Sequence, residues 1–125
     1  MKTLTEIMMT TTCPYNNPYQ GPDKRVLFVC SAGLLRSATG ARLYAKKYNT
    51  RACGSTSYAL IPISDNLIVW ADEIVFVNEE NYLDVTDKYN LENKKVVVLD
   101  IPDNYSHMAP ELIQAFSNQY EGIDF

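Results

Sequence analysis

An α/β domain, with a four-stranded parallel sheet and helices on both faces, is the fold this chain predicts. Three observations point to it. Apolar runs of strand length alternate with stretches of helical periodicity, strand then helix, four times over. The runs at residues 26–29 and 95–99 are continuously apolar after their first residues, as strands buried in a parallel sheet are. A thiol, Cys30, and a carboxylate, Asp103, both fall just past the ends of such runs, and open parallel sheets bind ligands at their strands' carboxyl ends.

Residues 1–24 read as an N-terminal extension to a domain spanning 25–125. The pairs Cys13-Pro14, Asn17-Pro18 and Gly21-Pro22 all resist regular structure. The first strand, VLFV, runs into Cys30, and a helical pattern follows with Ala38, Ala41, Ala45 and Tyr48 on one face. Residues 50–53 form a second short strand ended by Gly54-Ser55, with Cys53 as a small buried hydrophobe. Ser64 is placed to cap a helix over 65–71, with Leu67, Ile68 and Ala71 at helical spacing and Trp70 as a packing residue. Residues 73–77 make the third strand. Asn78 caps a helix over 79–88 that turns Tyr82, Leu83 and Val85 to the core and its acidic residues to solvent. Residues 90–93 turn into the fourth strand. Pro110 opens a last helix, with Leu112, Ile113, Phe116 and Tyr120 on its core face.

The chemistry gathers in residues 26–48, VLFVCSAGLLRSATGARLYAKKY. A loop from a strand into a helix N-terminus can aim successive backbone N–H groups at one spot, and with the helix dipole these make an anion site. Cys30 would sit at its base, where the same donors stabilise a thiolate. Arg36 carries a planar fork that holds two phosphate oxygens at once. Ser37 can hydrogen-bond the Cys30 sulfur and make it a better leaving group. Gly33 permits a backbone turn that a Cβ would resist. The N–H groups of Ser31, Ala32, Gly33, Leu34, Leu35 and Arg36 would line the cradle. Cys-x5-Arg-Ser between a strand and a helix is the pattern a cysteine phosphatase needs.

Length and composition narrow the classes. The chain is long enough for one core, and its 46% hydrophobic and 21% charged residues are ordinary for a globular domain. A net charge of −4 argues against a generic nucleic-acid binder or a polybasic membrane-surface protein. No apolar run approaches the roughly 18 residues of a membrane span. The N-terminus lacks the apolar segment of a signal peptide. Three cysteines, at 13, 30 and 53, form neither a metal pattern nor a disulfide framework. A reducing, cytoplasmic setting is therefore expected, with no metal and no cofactor.

VLFVCSAGLLRS, the alanine-rich helix after it, RACGS, WADEIVFV and LDIPDNYSHMAPELI together resemble the low-molecular-weight protein tyrosine phosphatases, and most of all a small bacterial and phage branch of predicted tyrosine phosphatases. The resemblance covers about residues 25–120. It implies that family's fold, a phosphotyrosine protein or small phosphomonoester as substrate, Cys30 as nucleophile and Arg36 as the phosphate clamp. The family carries its general acid in an Asp-Pro-Tyr loop often preceded by Ile-Pro, which Ile101-Pro102-Asp103-Asn104-Tyr105 matches except at Asn104. Asp103 is thus the implied acid, with Asp100 the competing carboxylate, and Tyr105 is placed to stack on an aryl group. Within the loop, Gly33 stands where the family has a bracing Asn, Leu35 where many members have a second Cys, and Ala38 where Pro is common. Larger dual-specificity phosphatases have a His before the catalytic Cys; here that residue is Val29. His107, the one histidine, reads as a surface or hydrogen-bonding residue.

Two other functions share these residues. A thioredoxin-linked arsenate reductase uses the same loop but needs a further pair of cysteines, and none follows Cys53. A phosphate-reading module that no longer turns over would keep the cradle and lose the rate.

Overall fold

The computed structural model describes residues 24–31, 36–59, 61–102 and 108–121. The expected extension, apart from Lys24, lies outside them. Strand β1 (Arg25–Cys30) is followed by helix α1 (Arg36–Leu43), β2 (Asn49–Gly54), α2 (Asp65–Trp70), β3 (Glu73–Phe76), α3 (Glu79–Thr86), β4 (Lys95–Val98) and α4 (Pro110–Gln119). The four strands form one sheet in the order β2-β1-β3-β4, and every pair is parallel. The expected alternation and sheet are therefore present.

Side-chain alternation along β1 divides the core in two. Val26, Phe28 and Cys30 face one layer with Ala38, Ala41, Leu112, Phe116 and Tyr120, so α1 and α4 cover that face. Leu27 and Val29 face the other with Ile68, Ala71, Ile74, Phe76 and Val85, under α2 and α3. Burial of both faces explains why the central strands read as unbroken apolar runs. Each fully buried Phe or Leu here contributes about 1.5–3 kcal/mol by leaving water. Phe28 lies at the centre of its layer, stacked on Tyr44 and edge-on to Phe116 and Tyr120.

The caps form where expected. Ser64 Oγ accepts from Leu67 N at 3.3 Å, Asn78 Oδ1 accepts from Glu80 N at 3.1 Å, and Pro110 opens α4. Other expectations need correction. Arg36 stands at the start of α1 as expected, with Ser37 in the same first turn, but the helix ends at Leu43, short of Ala45, and a turn carries the chain on to Tyr48. In α3 the inward face is Asn81 and Val85, with Tyr82 partly buried, while Leu83 is 56% exposed. Asn81 and Val85 are four apart and share a face; Leu83 lies about 200° of helical turn from each. Ile113 is only half-buried beside Leu112 and Phe116. Trp70 packs as expected, with the Arg51 guanidinium 4.4 Å above its ring. Among the described residues no helix is long and apolar enough to cross a membrane.

Candidate active site

The strand order puts β1 between β2 and β3, so β1 ends where the chain's path across the sheet reverses. Hydrogen bonds to backbone carbonyls at that edge fix where the strand ends. Ser55 N donates to Cys30 O at 2.7 Å, Thr56 Oγ1 donates to Ser31 O at 2.8 Å, and Val77 N donates to Val29 O at 3.0 Å. The last residues of β1 are thus held from both neighbouring strands.

Cys30 is only 3% exposed, at the end of β1. Its Sγ lies 3.1 Å from Ser37 Oγ, in the first turn of α1. Arg36, 4% exposed, folds back across the same edge. Its Nη1 donates to Ile101 O at 2.8 Å, and its Nη2 donates to Ser31 Oγ at 3.3 Å. The guanidinium therefore links Ser31, the residue after Cys30, to the segment leaving β4. Cys30, Ser31, Arg36 and Ser37 come together as their spacing predicts. Ala32, Gly33, Leu34 and Leu35 of the cradle lie outside the described residues, as do Asp103, Tyr105 and His107.

Asp100, the competing carboxylate, is described. Its backbone is clamped to α4: Gln119 Oε1 accepts from Asp100 N at 2.6 Å and Gln119 Nε2 donates to Asp100 O at 2.9 Å. The residue lines an open cleft with Asn78, Tyr82, Leu99 and Gln119, a cleft that includes neither Cys30 nor Arg36. Cys53 is fully buried in the opposite layer. Burial pushes its thiol well above the ordinary range, and the nearby Cys30 pushes it further, so it stays protonated as an inert small hydrophobe.

Three participants escaped sequence reasoning. Asn81, 1% exposed, donates from Nδ2 to Ser31 Oγ and to Ser55 Oγ, both at 3.1 Å. Ser55 in turn donates to Asp84 Oδ2 at 3.0 Å. The Ile101 carbonyl receives Arg36. A polar residue four positions before the apolar Val85 on a capped helix was the one available sign for Asn81. For Ser55 and Ile101 there was none, because their place in the site depends on strand order. Among the described residues no group of three His, Cys, Asp or Glu could hold a metal ion.

What this arrangement can do is limited by its chemistry. A buried thiol with a hydroxyl against it, followed in the chain by a serine that a guanidinium holds, suits an anionic electrophile. No family model matches the chain, and no curated protein or solved structure does either.

Proposed function

We propose that the protein is a cysteine-dependent phosphomonoesterase of the low-molecular-weight tyrosine phosphatase type, acting on phosphotyrosine or a small aryl phosphate. The observation that carries this reading is the Cys30 sulfur held 3.1 Å from Ser37 Oγ, with the Arg36 guanidinium fastened to Ser31 beside it. Phosphoryl transfer asks for little else: a nucleophile in line, fixed charge around the equatorial oxygens and a proton for the leaving group.

In the first step the Cys30 thiolate attacks phosphorus as the bond to the leaving oxygen breaks. A general acid protonates that oxygen, and the phosphoryl group is left on sulfur. Arg36 and the N–H groups of residues 31–36 would hold the three equatorial oxygens, most tightly in the transition state. In the second step water attacks phosphorus, the S–P bond breaks, and the thiolate departs with its charge eased by the Ser37 hydroxyl. The group that gave its proton takes one back from water. Asp103 is the acid in this reading, on the Ile-Pro-Asp-x-Tyr match. The cleft that Asp100 lines, apart from Cys30, favours Asp103 over it. General acid–base help of this kind is worth about 10²–10⁴ in rate.

The test is hydrolysis of p-nitrophenyl phosphate in the presence of EDTA. The wild type turns over, Cys30→Ser does not, and Asp103→Ala loses much more rate than Asp100→Ala. Reversal of the last two overturns the acid assignment. An inert wild type that still binds inorganic phosphate would make the protein a phosphate-reading module instead.

A further inference from the structure

The hydroxyl of Ser31 receives two donors. Arg36 Nη2 reaches its oxygen at 3.3 Å from one side and Asn81 Nδ2 at 3.1 Å from another. With both lone pairs engaged, the Ser31 proton can only be given away. The direction of the Asn81 amide is fixed by its other neighbour. Ser55 gives its own proton to Asp84, so its oxygen needs a donor, which Asn81 Nδ2 supplies at 3.1 Å. Asn81 Oδ1 has no hydrogen-bond partner among the described residues, and turning the amide over would place its two N–H bonds there, with no described residue to accept them. A carboxylate on α3, a serine after β2 and an amide inside α3 therefore form a directed chain that ends on the residue next to the nucleophile.

We infer that Asn81 is a positioning residue for this site: acting through Ser31, it fixes the Arg36 guanidinium and leaves the Ser31 hydroxyl as a donor to a bound phosphate oxygen. The inference rests on the reading of the site as a phosphate pocket. It also accounts for a polar residue occupying the inward face of α3 next to Val85. A buried amide is costly unless its bonds are made, and here they run into the site. The loop position where related phosphatases carry a bracing Asn is Gly33 in this chain, and the brace on Ser31 comes from across the sheet.

A double-mutant cycle tests it. Asn81→Ala and Ser31→Ala should each lower kcat/KM for p-nitrophenyl phosphate by roughly ten- to a hundredfold, the range expected when a reacting group is misplaced by about 1 Å. Because Asn81 acts through Ser31, the double variant should be no worse than Ser31→Ala alone. A second readout needs no turnover: protection of Cys30 from iodoacetamide by inorganic phosphate should require correspondingly more phosphate in each single variant, again without addition in the double. Additive losses, or an Asn81→Ala protein with wild-type kcat/KM and wild-type protection, would overturn the inference while leaving the phosphatase reading intact. If the wild type is inert toward p-nitrophenyl phosphate, the phosphatase reading fails and the protection cycle alone decides. If phosphate does not protect the wild type, both fail. Should Asn81→Ala not fold, Ser55→Ala removes the support behind Asn81 and must show a smaller loss in the same direction; a folded Ser55→Ala protein identical to wild type overturns the inference as well.

Discussion

At the scale of single residues, the contact that would distinguish the two steps of the proposed reaction is the one between Ser37 and Cys30. Ser37 is fully buried, Cys30 is 3% exposed, and the two side chains lie 3.1 Å apart, so the hydroxyl is a fixed partner of the sulfur. A hydrogen bond to a charged group is worth about 1.5–3 kcal/mol, equivalent to roughly ten- to a hundredfold in rate. In the proposed reaction the sulfur would carry negative charge as attacking group and again as leaving group, but only in the second step would it depart. Ser37→Ala should therefore slow breakdown of the phosphoenzyme more than its formation. Stopped-flow mixing with p-nitrophenyl phosphate should show a burst of nitrophenol approaching one equivalent of enzyme, with kcat reduced and the burst rate less so. Equal slowing of both phases, or no burst, would remove Ser37 from the leaving-group role.

At the scale of elements, α1 sets the position of Arg36 and Ser37, and α1 is seated by Gly40. A Cβ at that residue would come within 2.7 Å of Phe28 Cδ1 and 2.9 Å of Phe116 Cζ, so the helix can lie this close to β1 and α4 only because the side chain is absent. Gly40→Ala gains about 0.5–1 kcal/mol of helix propensity. Against that, overpacking two buried rings that already touch edge-on costs typically 1–3 kcal/mol. A net loss of stability is expected, read as a lower midpoint in urea with an unchanged m-value. Since the same shift moves the first turn of α1, kcat/KM should fall in protein that is still folded. A gain in stability would show that the rings yield freely and that the close approach is not what seats the helix. The elements themselves were largely legible, because strand runs and caps are local signals: Ser64, Asn78 and Pro110 each act where their residue type predicts. Cys30, Arg36 and Ser37 were legible for the same reason, lying within one short stretch. Leu83 and Asn81 were not. Hydrophobicity assigned Leu83 to the core, yet the face of α3 is set by how the helix docks, and Asn81 is drawn inward by hydrogen bonds to residues 50 and 26 positions away. No local pattern encodes a partner whose position depends on β1 lying between β2 and β3.

Across the whole molecule, the two edges of the sheet are built on opposite principles. The carboxyl edge holds the polar site. The amino edge is closed by Glu73, the first residue of β3, an acidic side chain that is fully buried. It is flanked by Lys95 Nζ at 3.1 Å and Lys24 Nζ at 3.5 Å, and Tyr120 OH donates to it at 2.5 Å. Sequence gave no sign of this cluster, since Lys24, Glu73, Lys95 and Tyr120 meet only once the strands are in register and α4 has docked. It carries a pH signature. Burial, and then the neighbouring Glu73, push the Tyr120 phenol far above its ordinary value of 10.0; burial, and then Glu121, which accepts from Tyr44 OH at 3.0 Å, raise Tyr44 in the same direction. Below pH 10 the phenols are protonated in both folded and unfolded chains, and the stability they contribute is complete. Above it the unfolded chain releases protons that the folded chain retains, so the unfolded state binds fewer and stability falls with rising pH. At full slope each phenol accounts for about 1.4 kcal/mol per pH unit. Urea unfolding between pH 8 and 11 should show a plateau followed by a steep decline. Tyr44→Phe is the cleaner probe, because its partner Glu121 is exposed and tolerates loss of the donor. That variant should decline less steeply than wild type, by close to one linked proton, while the proposed phosphatase activity per folded molecule at neutral pH stays unchanged. A decline of unaltered slope would mean that the Tyr44 phenol ionises in the folded protein as readily as in the unfolded one, and that the aromatic layer around Phe28 does not exclude water from it.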